Sequence, residues 1–318
     1  MDILIIALIV IAVLIVLLFA GCFAAMYVLF FNPPSADRTN PKPDKLMGGD
    51  NLIKFIKECD ETTERIKKQY KYETVSVKTD DGLTLYGDFY INENKTENTI
   101  LCVHGYNSAG YYDFAPMVEP ILKGGYNCFL LNHRKAPPSE GKYTGFGVLE
   151  KRDLIKWIEA VNSYFPNGKI ILYGMSMGAA TVMQASEYDL TPNVVGIIED
   201  CGFTTAWDEF KFTLKSQAHL PAFPLLHILN LLCRLCLKFD LKSSDSRTAL
   251  AKTKLPVLFV HGDADVFVPP FMANECYEAC QSEKEIIIYE GAHHAQSHFV
   301  HREKYEQDFL AFADKCTR

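Results

Sequence analysis

The fold is decided by the stretch Lys169-Ile170-Ile171-Leu172-Tyr173-Gly174-Met175-Ser176-Met177-Gly178-Ala179-Ala180. An apolar run leads into Gly-x-Ser-x-Gly, and small residues compatible with a helix follow. This order is typical of a strand, a sharp turn that exposes a nucleophilic serine, and a helix. Gly174 and Gly178 remove the Cβ atoms that would collide where the helix packs close to the strand. We therefore predict that Ser176 is a nucleophile at a helix N-terminus, where free N–H groups favour negative charge.

Length and composition narrow the class of protein. The chain has 318 residues, of which 48% are hydrophobic, and a formal net charge of −7. Without its apolar N-terminal segment, roughly 270 residues remain, enough for one large α/β unit with its own core. The acidic balance and the absence of a basic run argue against nucleic acid as a partner. The ten cysteines show no second pair at zinc-ligand spacing, so we expect reduced thiols in apolar surroundings.

The N-terminal segment is predicted to anchor the chain in a membrane. Ile3 to Phe31 contains no charged residue and exceeds the roughly 20 residues that cross a bilayer. A cleaved signal peptide is the alternative, but the segment lacks a basic start and its apolar run is long. We therefore predict a transmembrane anchor over residues 1–31. The positive-inside rule predicts a cytoplasmic catalytic domain, because basic residues follow the anchor and none precedes it. They are Arg38, Lys42 and Lys45.

The remaining chain divides into a connecting segment and one larger unit. Residues 32–71 are predicted to be a proline-containing linker and a juxtamembrane helix, since apolar residues recur there at helical spacing. In residues 72–318, a hairpin is followed by apolar strands that alternate with helices, which indicates an α/β fold with a mostly parallel sheet. Residues 203–252 break this alternation with a long, apolar helical stretch that we predict to be a cap. The predicted strands are Tyr72–Lys78, Leu83–Ile91, Thr99–Val103, Tyr126–Leu131, Lys169–Tyr173, Val194–Glu199, Pro256–Val260 and Glu285–Tyr289.

Two polar loops that follow late strands supply candidates for an acid and a base. In the first loop we prefer Asp265 as the acid, because it lies deeper in the loop, and interpret Asp263 as a turn residue. In the second loop we predict that His294 is the base and that His293 and His298 are bystanders, since loop histidines are usually solvated. The chain order Ser, Asp, His is that of the α/β-hydrolase triad.

An oxyanion hole needs two backbone N–H donors. We predict that Met177, next to the serine, provides one of them. The other is predicted to be Tyr106, in the loop after an early strand, where Gly105 permits the turn. His104 is expected to hold this loop by hydrogen bonds and not to act as a base. No metal and no cofactor are expected, because the other histidines are dispersed and no glycine-rich phosphate loop follows a strand.

From about Tyr72 to its C-terminus, the chain resembles the α/β-hydrolase superfamily. Within it, the chain is similar to bacterial membrane-anchored hydrolases of the serine aminopeptidase-like and Bem46-like branch. The motifs that carry the resemblance are His104-Gly105-Tyr106, Ser139-Glu140-Gly141-Lys142-Tyr143, Gly145-Phe146-Gly147, Gly174-Met175-Ser176-Met177-Gly178-Ala179-Ala180, His261-Gly262-Asp263-Ala264-Asp265 and Gly291-Ala292-His293-His294-Ala295-Gln296-Ser297. It implies an eight-stranded, mostly parallel sheet, a triad and an oxyanion pair made of Ser176, Asp265, His294, Tyr106 and Met177. In Asn132–Ser139, Lys135 and Pro137 replace usual glycines, so we expect this loop to take another path.

The predicted function is that of a membrane-anchored serine hydrolase for carboxylic esters or thioesters with an apolar acyl group, acting on a small-molecule ester or lipid-like substrate. The apolar cap and the anchor motivate this substrate class, and the alternative is that the cap's leucines only pack onto the sheet. A serine aminopeptidase or acyl-peptidase is the second prediction, with Glu199 and Asp200 as candidates to hold a free α-amino group. A non-catalytic membrane scaffold is the third and is disfavoured by the intact triad.

Overall fold

The chain begins with a long apolar helix, α1, Ile3–Phe31. The structure is a computed structural model that describes residues 3–32, 44 and 47–318. Among these residues, α1 is the helix that is long and apolar enough to cross a membrane. Most of the predicted linker, and with it Arg38, Lys42 and Lys45, lies outside the described residues. The prediction that the catalytic domain lies on the cytoplasmic side of the membrane therefore rests on the sequence alone.

An amphipathic helix, α2, Asp50–Gln69, follows where the sequence predicts a juxtamembrane helix. Its apolar residues include Cys59 and Ile66, which are fully buried, whereas its charged residues face solvent. The helix packs on α3, Gly110–Lys123, which covers one face of the sheet. This contact attaches the juxtamembrane helix to the body of the protein.

The predicted eight-stranded, mostly parallel sheet is confirmed, with the strand order β1-β2-β4-β3-β5-β6-β7-β8. The hairpin strands β1 and β2 pair antiparallel, β2 also runs antiparallel to β4, and the other neighbours are parallel. Parallel strands need crossover helices, which is why the chain alternates strand and helix from β3 onward. The strands are β1 Glu73–Lys78, β2 Thr84–Tyr90, β3 Thr99–Val103, β4 Asn127–Leu131, β5 Ile170–Met175, β6 Val194–Asp200, β7 Val257–Gly262 and β8 Lys284–Tyr289.

Helices cover both faces of this sheet, because its central strands are apolar on both sides. On one face α3 and α11 bury aromatic residues such as Phe114 and Phe309. On the other face α4, α5 and α9 bury residues such as Trp157 and Val182. The bounds of the helices after α3 are α4 Glu150–Tyr164, α5 Met177–Ala185, α6 Ala206–Ser216, α7 Leu225–Leu232, α8 Ser246–Leu250, α9 Pro270–Ala279, α10 Ser297–Val300 and α11 Arg302–Thr317.

The segment between β6 and β7, hereafter the β6–β7 segment, contains α6, α7 and α8 and no strand, as predicted. It is not one long helical stretch, because prolines and a π-helical turn at Cys233–Leu237 divide it into short helices. Its apolar residues form a third core with the end of α1, where Phe30 contacts the rings of Phe210 and Phe239. No local sequence pattern predicts that α1 packs on the body of the protein.

The tight packing of Gly178 against β3 can be tested by substitution. A Cβ atom on Gly178 would lie 1.8 Å from the Val103 carbonyl oxygen, so Gly178→Ala forces α5 away from β3. We expect Gly178→Ala to lower the free energy of unfolding by about 3 kcal/mol or more. As a control, Gly125→Ala has open space and a positive φ of 89°, so its cost is about 1 kcal/mol. Denaturant unfolding in detergent measures both, and equal costs would contradict the packing argument.

Candidate active site

The turn between β5 and α5 holds Ser176 in a strained backbone conformation, with φ of 55° and ψ of −117°. Its N–H donates to the carbonyl oxygen of Asp200 at 2.8 Å, which fixes the turn against β6. A Cβ atom on Gly174 would lie 2.3 Å from the carbonyl oxygen of Gly178, so the turn tolerates no side chain there. Non-glycine residues rarely adopt positive φ, and strain of this kind is concentrated at functional sites.

Three sequence-predicted residues meet at the carboxyl end of the sheet, each in a segment that follows a different strand. Nε2 of His294 lies 2.8 Å from Oγ of Ser176, and Nδ1 of the same ring lies 2.7 Å from Oδ2 of Asp265. Asp265 and His294 are buried, whereas Ser176 is partly accessible. The geometry allows the imidazole to take a proton from the serine while the carboxylate holds the opposite nitrogen.

The Asp265 carboxylate is held in its ionised form by its neighbours. Burial by itself would raise its pKa, but the imidazoles of His294 and His261 outweigh burial and hold the pKa of Asp265 well below its usual range. Its other oxygen, Oδ1, accepts hydrogen bonds from the N–H groups of Phe267 and Val268, both at 2.9 Å. An ionised, immobile carboxylate suits a group that orients a histidine and stabilises its protonated form.

The competing residues in the same loops have other partners. Oδ1 of Asp263 accepts the N–H of Gly291 at 2.6 Å, which ties the two loops together. Nε2 of His298 lies 3.0 Å from a carboxylate oxygen of Glu306. The ring of His293 lies beside the backbone of Gly48 and not beside Ser176. The structure thus brings Asp265 and His294, and none of these three, to the serine.

The predicted oxyanion donors lie on either side of Ser176. Met177 is the first residue of α5, so its N–H has no acceptor within the helix. The loop that carries Tyr106 approaches the serine so closely that a Cβ atom on Gly105 would lie 3.2 Å from Cβ of Ser176. The N–H of Gly105 donates to Oδ2 of Asp113 at 2.7 Å, which holds this loop in place.

His104 holds the loop that precedes Tyr106. Its Nδ1 lies 2.8 Å from the carbonyl oxygen of Gly105, and its Nε2 accepts the N–H of His133 at 3.0 Å. Burial and the neighbouring His133 lower the pKa of His104 to about 3, so the ring is neutral at neutral pH. A neutral ring with both nitrogens engaged acts as a brace between β3 and β4.

The loop from Asn132 to Ser139 departs from the superfamily pattern, and buried charges hold it. The guanidinium of Arg134 bonds both carboxylate oxygens of Asp153, at 2.7 and 2.8 Å. Lys135, in place of a glycine, has φ of 72°, which is a conformation that glycine adopts readily. Nζ of Lys135 donates to Oδ1 of Asn107 at 2.8 Å, so the Lys135 side chain reaches the loop that carries Tyr106. Because this loop departs from the superfamily pattern, the resemblance does not predict that contact.

One group of side chains in the described part of the chain could hold a metal ion. It consists of Cys201, Asp265 and His294, whose possible ligand atoms lie within 4.8 Å of one another. The last two already hydrogen-bond to each other, and burial raises the pKa of the Cys201 thiol well above its usual value. A protonated thiol is a poor metal ligand, so this group fits proton transfer better than metal binding, and the absence of a metal stays a prediction.

An apolar cavity of about 660 Å³ lies against the β6–β7 segment, for which the sequence leaves open either an acyl pocket or simple packing onto the sheet. Its lining includes Tyr106 and Phe267, and the ring of Phe267 lies 5.0 Å from that of His294. One wall is formed by α1, and the other walls are largely formed by α6 and α7 of the β6–β7 segment. A cavity of this size and character fits an apolar small-molecule group.

Among the described residues, Glu209 is the one acidic residue that lines this cavity. It is 2% exposed, and its Oε1 accepts the hydroxyl of Thr213 at 3.2 Å, whereas its Oε2 has no partner among the described residues. Burial, with a smaller contribution from Asp265, raises the pKa of Glu209 to about 8. The carboxyl group is therefore mostly protonated at neutral pH. The sequence offered no signal for it, since Glu209 lies in a helix of mixed composition.

Glu199 and Asp200, the residues proposed from the sequence to hold an amino group, do not line the cavity. Oε2 of Glu199 accepts the N–H of Gly202 at 2.9 Å. Oδ2 of Asp200 accepts the hydroxyl of Tyr305 at 2.8 Å. Burial raises the pKa of Glu199 to about 8 and that of Asp200 to about 6. Both side chains support the carboxyl end of β6.

Comparison with known proteins shows that this chain is similar to hydrolases. The family described as alpha/beta hydrolase fold matches residues 98–223, and the family described as serine hydrolase (FSH1) matches residues 201–305. The uncharacterized protein YqkD of Bacillus subtilis is 27% identical over 272 residues, which are 78% of this chain and 88% of that protein. An uncharacterized membrane protein of Saccharomyces cerevisiae is 27% identical over 68% of this chain and 71% of its own length. An esterase of Pyrococcus furiosus superposes with a TM-score of 0.66 at 22% identity, covering 79% of this chain and 93% of the esterase.

The buried carboxyl of Glu209 makes stability depend on pH. Because its folded-state pKa is raised to about 8, its contribution to stability is complete below about pH 4.5 and is lost as the pH rises to about 8. We expect the melting temperature of Glu209→Gln to rise relative to the wild type between pH 5 and pH 8.5. Thermal unfolding in detergent measures this, with the exposed Glu278→Gln as a control. A pH-independent difference would contradict the assignment.

Proposed function

We propose that this chain, which is a serine hydrolase of the α/β-hydrolase superfamily, cleaves carboxylic esters or thioesters whose acyl group is apolar. The observation that carries the proposal is the cavity of about 660 Å³ that begins beside Tyr106 and Phe267 and is lined mainly by leucine and phenylalanine. An acyl chain bound there leaves water, which stabilises the complex by roughly 0.8 kcal/mol for each buried CH₂ group. The site next to this cavity has the groups that acyl transfer requires.

In the proposed mechanism, Ser176 Oγ attacks the carbonyl carbon as its proton passes to Nε2 of His294, 2.8 Å away. The carbonyl oxygen becomes negative and receives hydrogen bonds from the N–H groups of Tyr106 and Met177. His294 then gives the proton to the leaving alcohol or thiol, and the acyl group stays on the serine. Water, activated by His294, attacks this ester and releases the acid. Asp265 holds the His294 ring through Nδ1 throughout.

We also propose that α1 anchors the enzyme in a membrane, with the catalytic unit on the cytoplasmic side. The length and the apolar composition of α1 support the anchor. The excess of basic residues that follows α1 in the sequence supports the cytoplasmic side. Free cysteines, most of them buried, are in keeping with a reducing compartment.

An aminopeptidase is the second candidate, and one observation favours it. Oε2 of Glu209 is unpartnered and lies in the wall of the cavity, where a free α-amino group of a substrate could pair with it. Against it, most of the remaining lining is apolar, and the carboxyl group is mostly protonated at neutral pH. Burying an ammonium group in such a site costs several kcal/mol unless the carboxylate forms. The ester hydrolase therefore remains the first choice.

A fluorophosphonate probe tests the proposed nucleophile and base. We expect rapid labelling of the wild type and none of Ser176→Ala. Labelling of His294→Ala and Asp265→Asn is expected to be slower by about three to four orders of magnitude, because the serine then lacks an oriented base. His293→Ala, which changes the neighbouring histidine, is the matched control and should label like the wild type. Equal labelling of His294→Ala and His293→Ala would contradict the assignment of the base.

A pair of chromogenic substrates separates the two candidate functions. We expect p-nitrophenyl butyrate to be cleaved with a kcat/KM at least about 100-fold above that for leucine p-nitroanilide, since the cavity disfavours an ammonium group. The enzyme concentration is set by the probe, so that inactive protein does not enter the rate. Faster cleavage of the anilide, lost in Glu209→Gln, would establish the aminopeptidase instead.

A further inference from the structure

We propose that the hydrocarbon chain of a membrane lipid ester reaches Ser176 directly from the bilayer, through the cavity beside α1, so that the anchor helix forms part of the substrate site. The inference rests on the proposed ester hydrolase and specifies its substrate as an ester that resides in the membrane. Four observations on α1 and the β6–β7 segment lead to it.

The cavity opens beside the anchor helix. Leu17, Gly21 and Ala25 line it and are nevertheless exposed, and they follow one another at intervals of four residues along one face of α1. A Cβ atom on Gly21 would meet nothing within 4 Å. The mouth of the cavity therefore lies on the surface that lipid chains would contact if α1 spans a membrane.

At its other end the cavity reaches Tyr106, the proposed oxyanion donor, and Phe267, whose ring lies 5.0 Å from that of His294. Leu29 and Tyr106 both line this end, and the hydroxyl of Tyr106 donates to the carbonyl oxygen of Leu29 at 2.5 Å. From Leu17 to Leu29 the helix rises about 18 Å, at 1.5 Å per residue. A chain bound along this face would connect the mouth with the oxyanion loop.

The position of the mouth along α1 agrees with the thickness of a bilayer. The helix has 29 residues, or about 43 Å, whereas the hydrocarbon core is about 30 Å thick and takes about 20 residues. Ile3–Leu17 are exposed on all sides, and contact with the body begins at Leu18 and Cys22. A span that starts at Ile3 thus ends near Cys22, which puts Gly21 at the boundary of the hydrocarbon.

The β6–β7 segment exposes apolar side chains that also suit a bilayer surface. Phe223 is 72% exposed and Leu235 is 59% exposed, and the cavity-lining Leu220 is nearly half exposed. Exposed apolar residues grouped in one segment mark interaction surfaces. Since α7 of this segment packs directly on α1, the segment lies where it would meet the membrane surface.

The test blocks the mouth without touching the proposed catalytic residues. Full-length wild type, Gly21→Phe and Ala24→Phe are reconstituted in phosphatidylcholine vesicles, and kcat/KM is measured for p-nitrophenyl palmitate and p-nitrophenyl acetate. Ala24 is exposed on α1 and does not line the cavity, so Ala24→Phe is the matched control. We expect Gly21→Phe to lower the ratio of palmitate to acetate activity at least about tenfold, and Ala24→Phe to leave it unchanged. Ala25→Phe, at the same mouth, is expected to act like Gly21→Phe.

The outcomes are separable. If both esters are cleaved and Gly21→Phe and Ala25→Phe keep the wild-type ratio while the fluorophosphonate probe still labels them, the proposed path is overturned and the ester hydrolase stands. A wild type that cleaves the acetate and not the palmitate also overturns it. If the wild type cleaves neither ester and takes no probe, the proposed function fails and this inference falls with it.

Discussion

The site depends on how closely α5 approaches β3. Because Gly178 has no side chain, its Cα can pass next to the Val103 carbonyl oxygen, where a Cβ atom would be 1.8 Å away. This contact sets the direction in which the chain leaves β5, and Ser176 adopts a positive φ to make the turn. The same approach brings the loop with Gly105 against the serine. Ser176 and the loop with Gly105 are therefore positioned by one backbone contact between two elements of the core.

Buried polar groups behind the serine keep this geometry rigid. The backbone carbonyl oxygen of Asp200 accepts a hydrogen bond from the Ser176 N–H, and the carboxyl group of Asp200 accepts one from the Tyr305 hydroxyl. The Tyr305 hydroxyl in turn lies 2.6 Å from the Tyr173 hydroxyl. On the other side His104 and His133 are neutral, since burial lowers the pKa of each to about 3. Buried hydrogen bonds of this kind favour one conformation, whereas exposed ones exchange with water. The strain at Ser176 is thus maintained by its surroundings.

What the sequence could predict follows from the range of the interactions. Strands, the turn at Ser176 and the polar loops of Asp265 and His294 are local patterns, and the sheet that brings those loops together follows from their alternation with helices. Two other features depend on packing between residues some 200 positions apart, such as Cys22 and Leu225. They are the contact of α1 with the β6–β7 segment and the cavity that Glu209 lines. Hydrophobic residues there are equally compatible with a lipid-facing helix and with a packed one, so composition could not distinguish them.

The C-terminal end of α1 is part of the fold of the body. Every helix leaves carbonyl groups without partners in its last turn, and in α1 the carbonyl oxygens of Leu29 and Phe30 accept hydrogen bonds from the Tyr106 hydroxyl and the Thr144 N–H. The Phe30 side chain is fully buried, which contributes roughly 2 kcal/mol. Tyr106 is also the residue whose N–H is the proposed oxyanion donor. A displacement of α1 relative to the body would therefore move the loop that carries Tyr106, which ties the geometry of the site to the position of the helix.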